Sequence, residues 1–379
     1  MNCIKLNINS DFERICTLIK PHKMGQKIMQ EKACLHFIFI ENISSPAANI
    51  LKQDALSIGA ELVTNEEIII KQKYSNALLI ATKKQILSLI SKEKKQDFKL
   101  KILANFLQKE FIKPKSVNLM AILNINEDSF NPRSRVSEKD FEARLNALLK
   151  LKPEFIDIGA VSSRPGSFYC GREEEFTRLK NCLDLIYAKN YHTKTIFSLD
   201  SFDEYCLEYA LNKGFRLIND ITGLRNENLA KLAKSYDAFY CLMHMQNEPH
   251  NMQENPNYEN LILELERFFA SKLEILETYG VKKSILDIGF GFGKSAEHNM
   301  ILLKNLEHFL QFNKALLVGA SRKSTINFYF ESEVEKRLAG SLYLHLKAYE
   351  NGASIIRTHD LYEHKQLFAL HKAYEEVVL

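Results

Sequence analysis

The chain has 379 residues, of which 46% are hydrophobic and 26% are charged. This composition is typical of a folded globular protein and excludes extensive disorder. The 51 basic residues nearly balance the 47 acidic ones and are spread along the chain, which gives a net charge of only +4. The sequence therefore predicts no nucleic-acid partner, but it is compatible with a small anionic substrate.

The cysteines and the N-terminal stretch predict a cytoplasmic protein. The seven cysteines are scattered and form no Cys-x-x-Cys pair, which is typical of reduced, mostly buried thiols rather than of disulfides or a metal site. The first residues, MNCIKLNINSDFERIC, carry charges where a signal peptide would be apolar. No run of about 18 apolar residues occurs, so neither export nor a membrane-spanning segment is predicted.

The first 110 residues differ in texture from the rest. Only Gly25 and Gly59 of the 14 glycines lie in this part. It contains the apolar run CLHFIFI (34–40) and a Lys-rich amphipathic pattern over residues 76–111, which indicate a small α/β or α+β domain that ends in helices. We interpret the run KEKK (92–95) as the solvated side of a helix or its turn. We expect an N-terminal domain over residues 1–112, and no catalytic motif indicates its function.

The second part, residues 113–379, alternates short apolar runs with amphipathic helical segments. Eight runs are typical of buried parallel strands: VNLMAILNI (117–125), FIDIG (155–159), TIFSLD (195–200), RLIND (216–220), AFYCLMH (238–244), SILDIG (284–289), ALLVGA (315–320) and SIIRTH (354–359). Helical patterns occupy 137–150, 173–188, 258–279 and 331–350. The rhythm predicts an α/β fold of the (β/α)8 TIM-barrel type. A doubly wound sheet is the alternative, because strand count alone does not prove closure.

Polar residues follow nearly every predicted strand. They are Asn124, Asp157, Asp200, Asn219, Asp220, His244, Asp287, Ser321, Arg322, Lys323, Arg357 and His359. In a barrel these strand ends meet at one rim, where active sites lie. We expect Asp200, Asn219 and Asp287 to accept hydrogen bonds from a flat heterocycle, such as an amino-pyrimidinone. The cationic group, comprising Arg322, Lys323, Arg357 and His359, is expected to bind an anion beside it.

Other interpretations apply to single residues. An aspartate after a strand is often a helix cap or a turn former, and this is our expectation for Asp157 and Asp220. We expect His244 to be a hydrogen-bonded framework residue. Arg357 and His359 alternate on a predicted strand and are expected to share a function. The stretch LDIGFGFGKS (286–295) resembles a phosphate-binding loop but misses each glycine template by one position, so its lysine and serine are expected to open the next helix.

Taken together, several blocks resemble the dihydropteroate synthases, a family of pterin-binding TIM-barrel enzymes. From Val117 onward these blocks are MAILNINEDSF, DIGAVSSRPGS, SLDS, INDITGL, LMHMQNEPHNMQENPNY, ILDIGFGFGKSAEHNMILL, LLVGASRKS, RLAGS and NGASIIRTHD. The resemblance implies that 6-hydroxymethyl-7,8-dihydropterin pyrophosphate condenses with 4-aminobenzoate, with Mg²⁺ as cofactor. It implies a transferase of folate biosynthesis that forms a homodimer.

The resemblance also implies roles for individual residues. Pterin binding falls to Asp200, Asn219, Ile221, Met243, Asp287 and Lys323, and pyrophosphate binding falls to Asn124, Arg357 and His359, with Asn124 as the metal ligand. The aminobenzoate pocket would comprise Ser163, Arg164, Pro165, Phe292 and Ser324. Lys323, Asp200 and Arg357 would be the catalytic residues.

The chain departs from the family pattern in two loops. Asn126 and Glu127 replace the usual Thr-Pro pair of the first loop, and Ala160, Val161 and Ser162 stand where Gly-Glu-Ser is usual in the second. We expect an active enzyme, because the acceptors, the lysine and the Arg-x-His pair are present. The alternatives are an inactive pterin-binding protein and a barrel that transfers a methyl group from a tetrahydropterin.

Overall fold

The computed structural model describes residues 1–8, 10–68, 73–125, 138–162 and 166–378. Contacts divide the chain into two units, one of residues 1–110 with 371–379 and one of residues 111–370. The elements of the first unit are α1 (Phe12–Ile19), α2 (Lys23–Gln30), β1 (Leu35–Ser44), α3 (Ser45–Leu56), β2 (Glu61–Thr64), β3 (Tyr74–Thr82), α4 (Lys83–Glu93) and α5 (Leu100–Leu107).

An antiparallel sheet with the order β1-β3-β2 forms the centre of the first unit. One face of β3, with Ala77, Leu79 and Ala81, is buried, because alternate residues of a strand point to the same side. Thr82 ends the strand and begins α4, where its hydroxyl and the side chain of Gln85 form a capping box. The prediction of a small domain that ends in helices is confirmed, although the pattern over residues 76–111 begins with a strand.

The interpretation of residues 92–95 as wholly solvated is wrong at Glu93. This side chain is fully buried, whereas its neighbour Lys92 reaches Asp54 with a separation of 3.0 Å. Burial, together with the nearby carboxylate of Asp54, raises the pKa of Glu93 from 4.5 to about 7. The last turn of α4 therefore carries a buried carboxyl between two charged surface residues.

Eight parallel strands of the second unit close into a barrel, in the order β4 to β11. The elements are β4 (Asn118–Asn124), α6 (Glu138–Lys150), β5 (Phe155–Gly159), α7 (Arg172–Ala188), β6 (Ile196–Asp200), α8 (Glu204–Asn212), β7 (Leu217–Asp220), α9 (Asn228–Ser235), β8 (Phe239–Met243), α10 (Leu261–Thr278), β9 (Ser284–Asp287), α11 (Ala296–Lys304), β10 (Ala315–Val318), α12 (Ser324–Tyr329), α13 (Leu338–Glu350), β11 (Ile355–Thr358) and α14 (Leu361–Glu376).

Closure is made by β11 and β4, whose register pairs Arg357 with Met120. The prediction of a (β/α)8 barrel is confirmed and the doubly wound alternative is wrong, because an open sheet would leave two edge strands unpaired. All eight predicted strands are present, each at or within two residues of its predicted ends. The predicted helix over 331–350 is shorter, since α13 begins at Leu338 after a 3-10 turn, Val334–Lys336.

Apolar contacts hold the barrel together on both sides of its wall. A large buried cluster, including Phe197, Tyr240 and Phe269, fills the space between strands and helices.

All seven cysteines are free thiols, and four of them are buried. Within the described ranges, no helix is both long and apolar enough to cross a membrane.

Candidate active site

The polar residues at the barrel mouth lie directly above an apolar layer inside the barrel. That layer consists of Met120, Phe155, Leu217, Cys241, Ile285, Leu317 and Ile355. Because side chains alternate along a strand, the residue two positions further on points into the barrel again. The residues reached in this way include Asp157, Asn219, Met243, Asp287 and Arg357. The period of the strands therefore brings two carboxylates, an amide and a guanidinium to one end of the barrel.

The guanidinium of Arg357 joins two carboxylates. Its Nε donates to Asp157 Oδ2 at 2.7 Å, and its Nη2 donates to Asp200 Oδ2 at 2.8 Å. Asn219 Nδ2 donates to the same oxygen of Asp157 at 3.1 Å. The expectation that Asp157 is a cap or turn former is wrong, because this fully buried carboxylate bonds to side chains from two other strands.

Burial makes the carboxyl groups of this site harder to ionise. It raises the pKa of Asp200 from 3.8 to about 7, even though Arg357 acts in the opposite direction. Burial also raises the pKa of Asp287, which the charge of Lys323 counteracts. The negative charges of Asp157 and Asp287 add to the cost of ionising Asp200. A ligand that donates hydrogen bonds to these groups would relieve that cost.

Lys323 completes the site from the loop after β10. Its Nζ donates to the carbonyl oxygen of Phe290 and lies 4.4 Å from the centre of the Phe292 ring. Burial lowers the pKa of Lys323 from 10.5 to about 8, while Asp287 favours the charged form. The lysine is therefore held against the glycine-rich loop, where the charge of Asp287 acts on it.

The glycine-rich loop after β9 follows a path that larger residues would block. Gly289 has a φ of +64°, and a Cβ added to it would lie 1.8 Å from the carbonyl oxygen of His244. Its backbone N–H donates to Asp287 Oδ1 at 2.8 Å, so the turn fixes the predicted pterin carboxylate. Glycine is required here for two reasons: the backbone is left-handed, and it passes close to the end of β8.

Lys294 and Ser295 end this loop in different ways. Ser295 caps α11, as predicted, and forms a capping box with His298. Lys294 is buried instead, and its Nζ lies 3.0 Å from His244 Nδ1 and 2.9 Å from the carbonyl oxygen of Phe292. The expectation that His244 is a hydrogen-bonded framework residue is confirmed. Lys294 ties the loop to the end of β8 rather than opening the helix.

Asp220 is the turn former that the sequence predicted. Its Oδ1 accepts from the backbone of Thr222 at 2.7 Å, and its Oδ2 accepts from the backbone of Leu224 at 2.8 Å. Tyr240 donates to the same Oδ2 at 2.6 Å. These bonds occupy both oxygens in holding the chain after β7.

Arg322 is not available to bind an anion, and that prediction is wrong. Its Nε and Nη2 donate to the two carboxylate oxygens of Asp360 at 2.9 Å and 2.6 Å. Its Nη1 donates to the carbonyl oxygens of Val334 and Glu335. The backbone of Arg322 is left-handed, with a φ of +54°, which turns this side chain away from its neighbour Lys323.

The other predicted residues occupy the same end of the barrel. Met243 is buried at the last position of β8 and Ile221 is buried just after β7, whereas Asn124 is half-buried at the last position of β4. A Cβ added to Gly159 would lie 2.9 Å from Asn124 Oδ1, so this glycine leaves room for the amide. His359 is exposed just after β11, and its Nδ1 lies 3.1 Å from the hydroxyl of Ser321.

The predicted aminobenzoate residues fall into a described and an undescribed group, and the roles of both groups stay predictions. Phe292 is half-buried beside Lys323, and Ser324 is the exposed first residue of α12. Ser163, Arg164 and Pro165 lie outside the described residues, as do Asn126 and Glu127 of the altered first loop. Their predicted roles stay predictions.

Comparison with known proteins identifies the family. The sequence pattern of the family described as "Pterin binding enzyme" matches residues 120–359. The chain belongs to the pterin-binding enzymes. The family prediction made from the motifs is thereby confirmed.

Similar proteins within this family carry dihydropteroate synthase in their names. The Escherichia coli dihydropteroate synthase is 35% identical over 249 residues, which are 65% of this chain and 87% of that protein. The Helicobacter pylori "bifunctional dihydropteroate synthase/dihydropteroate reductase" is 42% identical over 361 residues, which are 94% of this chain and 95% of that protein. The Yersinia pestis dihydropteroate synthase in complex with a sulfonamide drug has a TM-score of 0.64 at 31% identity, covering 69% of this chain and 95% of that one.

Sequence reasoning missed two residues of the site. Asp157 is predicted to be a turn former, although its place two residues beyond the buried Phe155 is a signal that it points into the barrel. Lys294 is predicted, together with Ser295, to open the next helix, because the stretch 286–295 misses the glycine templates of a phosphate-binding loop. Its burial could not be foreseen, since the partner that it contacts, His244, is 50 residues away in the chain.

Proposed function

We propose that the barrel catalyses the dihydropteroate synthase reaction. In this reaction 6-hydroxymethyl-7,8-dihydropterin pyrophosphate and 4-aminobenzoate give 7,8-dihydropteroate and pyrophosphate. One observation supports the proposal most strongly: Asp200, Asn219, Asp287, Lys323 and Arg357 converge at the carboxyl end of a closed barrel in a member of this family. Buried acceptors beside cationic donors suit a polar heterocycle attached to an anion.

The carboxyl group of Asp200, the amide of Asn219 and the carboxyl group of Asp287 bind the pterin edge in this proposal. Asn219 uses Nδ2 to reach Asp157, so its Oδ1 faces the ligand as an acceptor. Lys323 donates to the ring, while Met243 and Ile221 contact its apolar faces. Donation from the pterin N–H groups favours the ionised form of Asp200 and lowers the cost that burial imposes.

The leaving pyrophosphate is bound by Asn124, Arg357 and His359 in this proposal. Arg357 is held through Nε and Nη2 by two carboxylates, and Nη1 is the nitrogen that would approach an oxyanion. His359 is exposed at the rim, where it can reach a phosphate that extends out of the barrel. Arginine suits this task because its planar donors match phosphate oxygens.

The residues present fit Mg²⁺ if the substrate supplies most of its ligands. Within the described residues, no group of three His, Cys, Asp or Glu side chains could hold a metal alone. The amide oxygen of Asn124 has room beside Gly159, and Mg²⁺ is typically bound by one or two protein oxygens together with substrate phosphates. When bound, the ion would neutralise charge on the leaving pyrophosphate.

The chain's own contribution to catalysis is positional and electrostatic. The carboxylates orient the pterin so that its exocyclic methylene faces the aminobenzoate, and Arg357 and Lys323 stabilise charge that shifts towards the pyrophosphate. The arylamine is neutral near pH 7 and attacks without a strong general base. Phe292 and Ser324, with Ser163, Arg164 and Pro165, form the aminobenzoate pocket in this proposal.

A direct assay tests this function. Purified protein with Mg²⁺ and both substrates is expected to release pyrophosphate and to form dihydropteroate. The control is the same reaction without aminobenzoate, in which no dihydropteroate is expected to form. If pyrophosphate is not released, the synthase proposal is wrong, and pterin binding without turnover would favour the inactive binding protein. Methyl transfer from a tetrahydropterin would favour the alternative of a methyltransferase barrel.

The N-terminal region supports a second candidate activity, the reduction of dihydropteroate. The relative named as both synthase and reductase matches 94% of this chain, whereas the Escherichia coli synthase matches only 65%. Residues 1–112 are therefore proposed to contribute to the reductase activity. The reaction would add a hydride to C6 and a proton to N5 of the dihydropterin ring, with a reduced nicotinamide or flavin as the donor.

Full-length protein that forms dihydropteroate is expected to oxidise a reduced nicotinamide, with or without added flavin, once the synthase reaction has run. A protein that lacks residues 1–112 is expected to keep synthase activity and to lose this oxidation. Loss of both activities would show that residues 1–112 and 113–379 are not independent domains.

Homodimer formation is tested by sedimentation of the same two proteins. The cytoplasmic location, which the free thiols favour, is tested by fractionation.

A further inference from the structure

Two buried histidines lie behind the loop that carries Lys323, and the synthase mechanism above uses neither. His345 is on α13 and His364 is on α14, and both are fully buried. His345 Nδ1 and His364 Nε2 are 2.6 Å apart. Buried polar side chains without a catalytic task normally satisfy some other group.

The two ring nitrogens that do not face the other histidine, His345 Nε2 and His364 Nδ1, contact backbone groups of two loops. The backbone N–H of Ala320 donates to His345 Nε2 at 2.8 Å. At the other end, His364 Nδ1 lies 2.6 Å from the carbonyl oxygen of Asp360 and 3.2 Å from the hydroxyl of Thr358, which can also accept. The pair therefore spans from the loop after β10 to the loop after β11.

Each contact fixes one proton. A carbonyl oxygen only accepts, so His364 Nδ1 carries a hydrogen. The N–H of Ala320 only donates, so His345 Nε2 carries none, and His345 Nδ1–H donates to His364 Nε2. Every ring nitrogen is then used, and both rings are neutral. A second proton on either ring would set two N–H groups against each other.

A second bond from the same helix supports this function. Ser341 lies one turn before His345 on α13, and its hydroxyl accepts from the backbone N–H of Arg322 at 2.8 Å. Residues four apart on a helix share a face. Through His345 and Ser341, helix α13 thus binds the backbone N–H groups of Ala320 and Arg322, two of the three residues that precede Lys323. Asp360 in turn binds the side chain of Arg322.

We propose that His345 and His364 act as one positioning unit, which fixes the loop before Lys323 against the loop after β11 and so sets the lysine for pterin binding. This inference rests on the proposed synthase function. The two histidines are positioning residues, because they act through the backbone of Ala320 and Asp360.

The surrounding charges make the unit sensitive to acid. Burial lowers the pKa of His345 well below 6.5, and His364, Lys323 and His359 lower it further. Burial also lowers the pKa of His364, which Asp360 and Glu363 oppose. A lowered pKa means that the stabilisation is complete above the unfolded-state value of 6.5 and is lost as the pH falls.

The test compares four variants with wild type by calorimetric binding of the pterin substrate. His345→Leu and His364→Leu are each expected to weaken binding about tenfold at about pH 7.5, because a buried donor loses its acceptor. The double Leu variant is expected to bind about tenfold more weakly as well, since the residues form one unit. His308→Gln is the control, because His308 bonds to Glu266 outside this site, and it is expected to bind as wild type does.

The double variant with His345→Gln and His364→Gln separates positioning from general stability. Its amides can donate and accept in the same order but do not titrate in this range. It is expected to keep near wild-type affinity and to show a smaller loss of melting temperature than wild type between about pH 7.5 and about pH 5.5. Unchanged pterin affinity in both Leu variants, or losses that simply add, would overturn the proposal. The melting curves need no catalysis, so absence of synthase activity in wild type would refute the proposed function separately.

Discussion

The two units of the molecule differ in what they bury. The barrel unit buries aspartates, histidines and a lysine, and most of them lie at the carboxyl ends of its strands. In the described part of the first unit, Glu93 is the buried charged side chain, and the sheet leaves Phe37 and Phe39 exposed. Buried charges are expensive unless they are paired or serve a ligand. Among the described residues, the buried charged groups that could serve a ligand are therefore concentrated in the barrel unit.

The largest expected effect comes from Lys323. Lys323→Ala removes a cationic donor beside Asp287, and the synthase rate is expected to fall about 100-fold, as for other single electrostatic donors in active sites. Steady-state pyrophosphate release measures the change. The matched control is Lys336→Ala, since Lys336 is exposed and pairs with Glu333 at 3.0 Å. If both variants lowered the synthase rate equally, the assignment of Lys323 to the active site would be contradicted.

Asp287→Asn is expected to weaken pterin binding about tenfold, because it replaces a charged acceptor with a neutral amide. Calorimetric titration with the pterin substrate measures this, and the affinity for aminobenzoate in the presence of pyrophosphate serves as the comparison. Unchanged pterin affinity would reject the assignment of Asp287.

Asp200→Asn is expected to change how stability depends on pH. The pKa of Asp200 is raised by burial from 3.8 to about 7, so its favourable contribution is complete below 3.8 and is lost as the pH rises towards 7. The variant without ligand should lose less stability than wild type over that interval. Urea unfolding at several pH values measures the difference, and parallel curves would contradict it.

The smallest expected effect is in the first unit. Burial raises the pKa of Glu93 from 4.5 to about 7, so ionisation costs stability as the pH rises. Glu93→Gln is expected to stabilise the protein by about 1 kcal/mol at about pH 8 and to change little at about pH 5. Synthase activity should stay at the wild-type level. A loss of activity would mean that the first unit affects the barrel site.

Much of the fold could be predicted because each strand of the barrel carries its own signal. Short apolar runs between amphipathic helices gave all eight strands, and the motifs around Asp200, Asn219, Asp287 and Lys323 gave the family. Asp220 was predicted correctly because turn formation is local, through bonds to residues two and four positions ahead. Asp157 was not, because its partner Arg357 is 200 residues away.

Arg322 and Lys323 illustrate the same limit. Both are cations after one strand, and sequence alone assigns them one function. The left-handed backbone at Arg322 and the carboxylate of Asp360, 38 residues further on, direct this arginine into the framework, whereas Lys323 reaches the glycine-rich loop after β9. Neither the turn nor the distant carboxylate is encoded in the local pattern.

The sequence by itself determined the barrel, the family and the residue types at the strand ends, because hydrophobic period and short motifs are local properties. Only the tertiary structure decided which charges pair with each other and which face the site. Closure of β11 onto β4 brings Arg357 to Asp157 and Asp200, and the packing of α13 and α14 brings two histidines behind Lys323. Pairing energies depend on distance and burial, and both are set by the closed fold rather than by position in the chain.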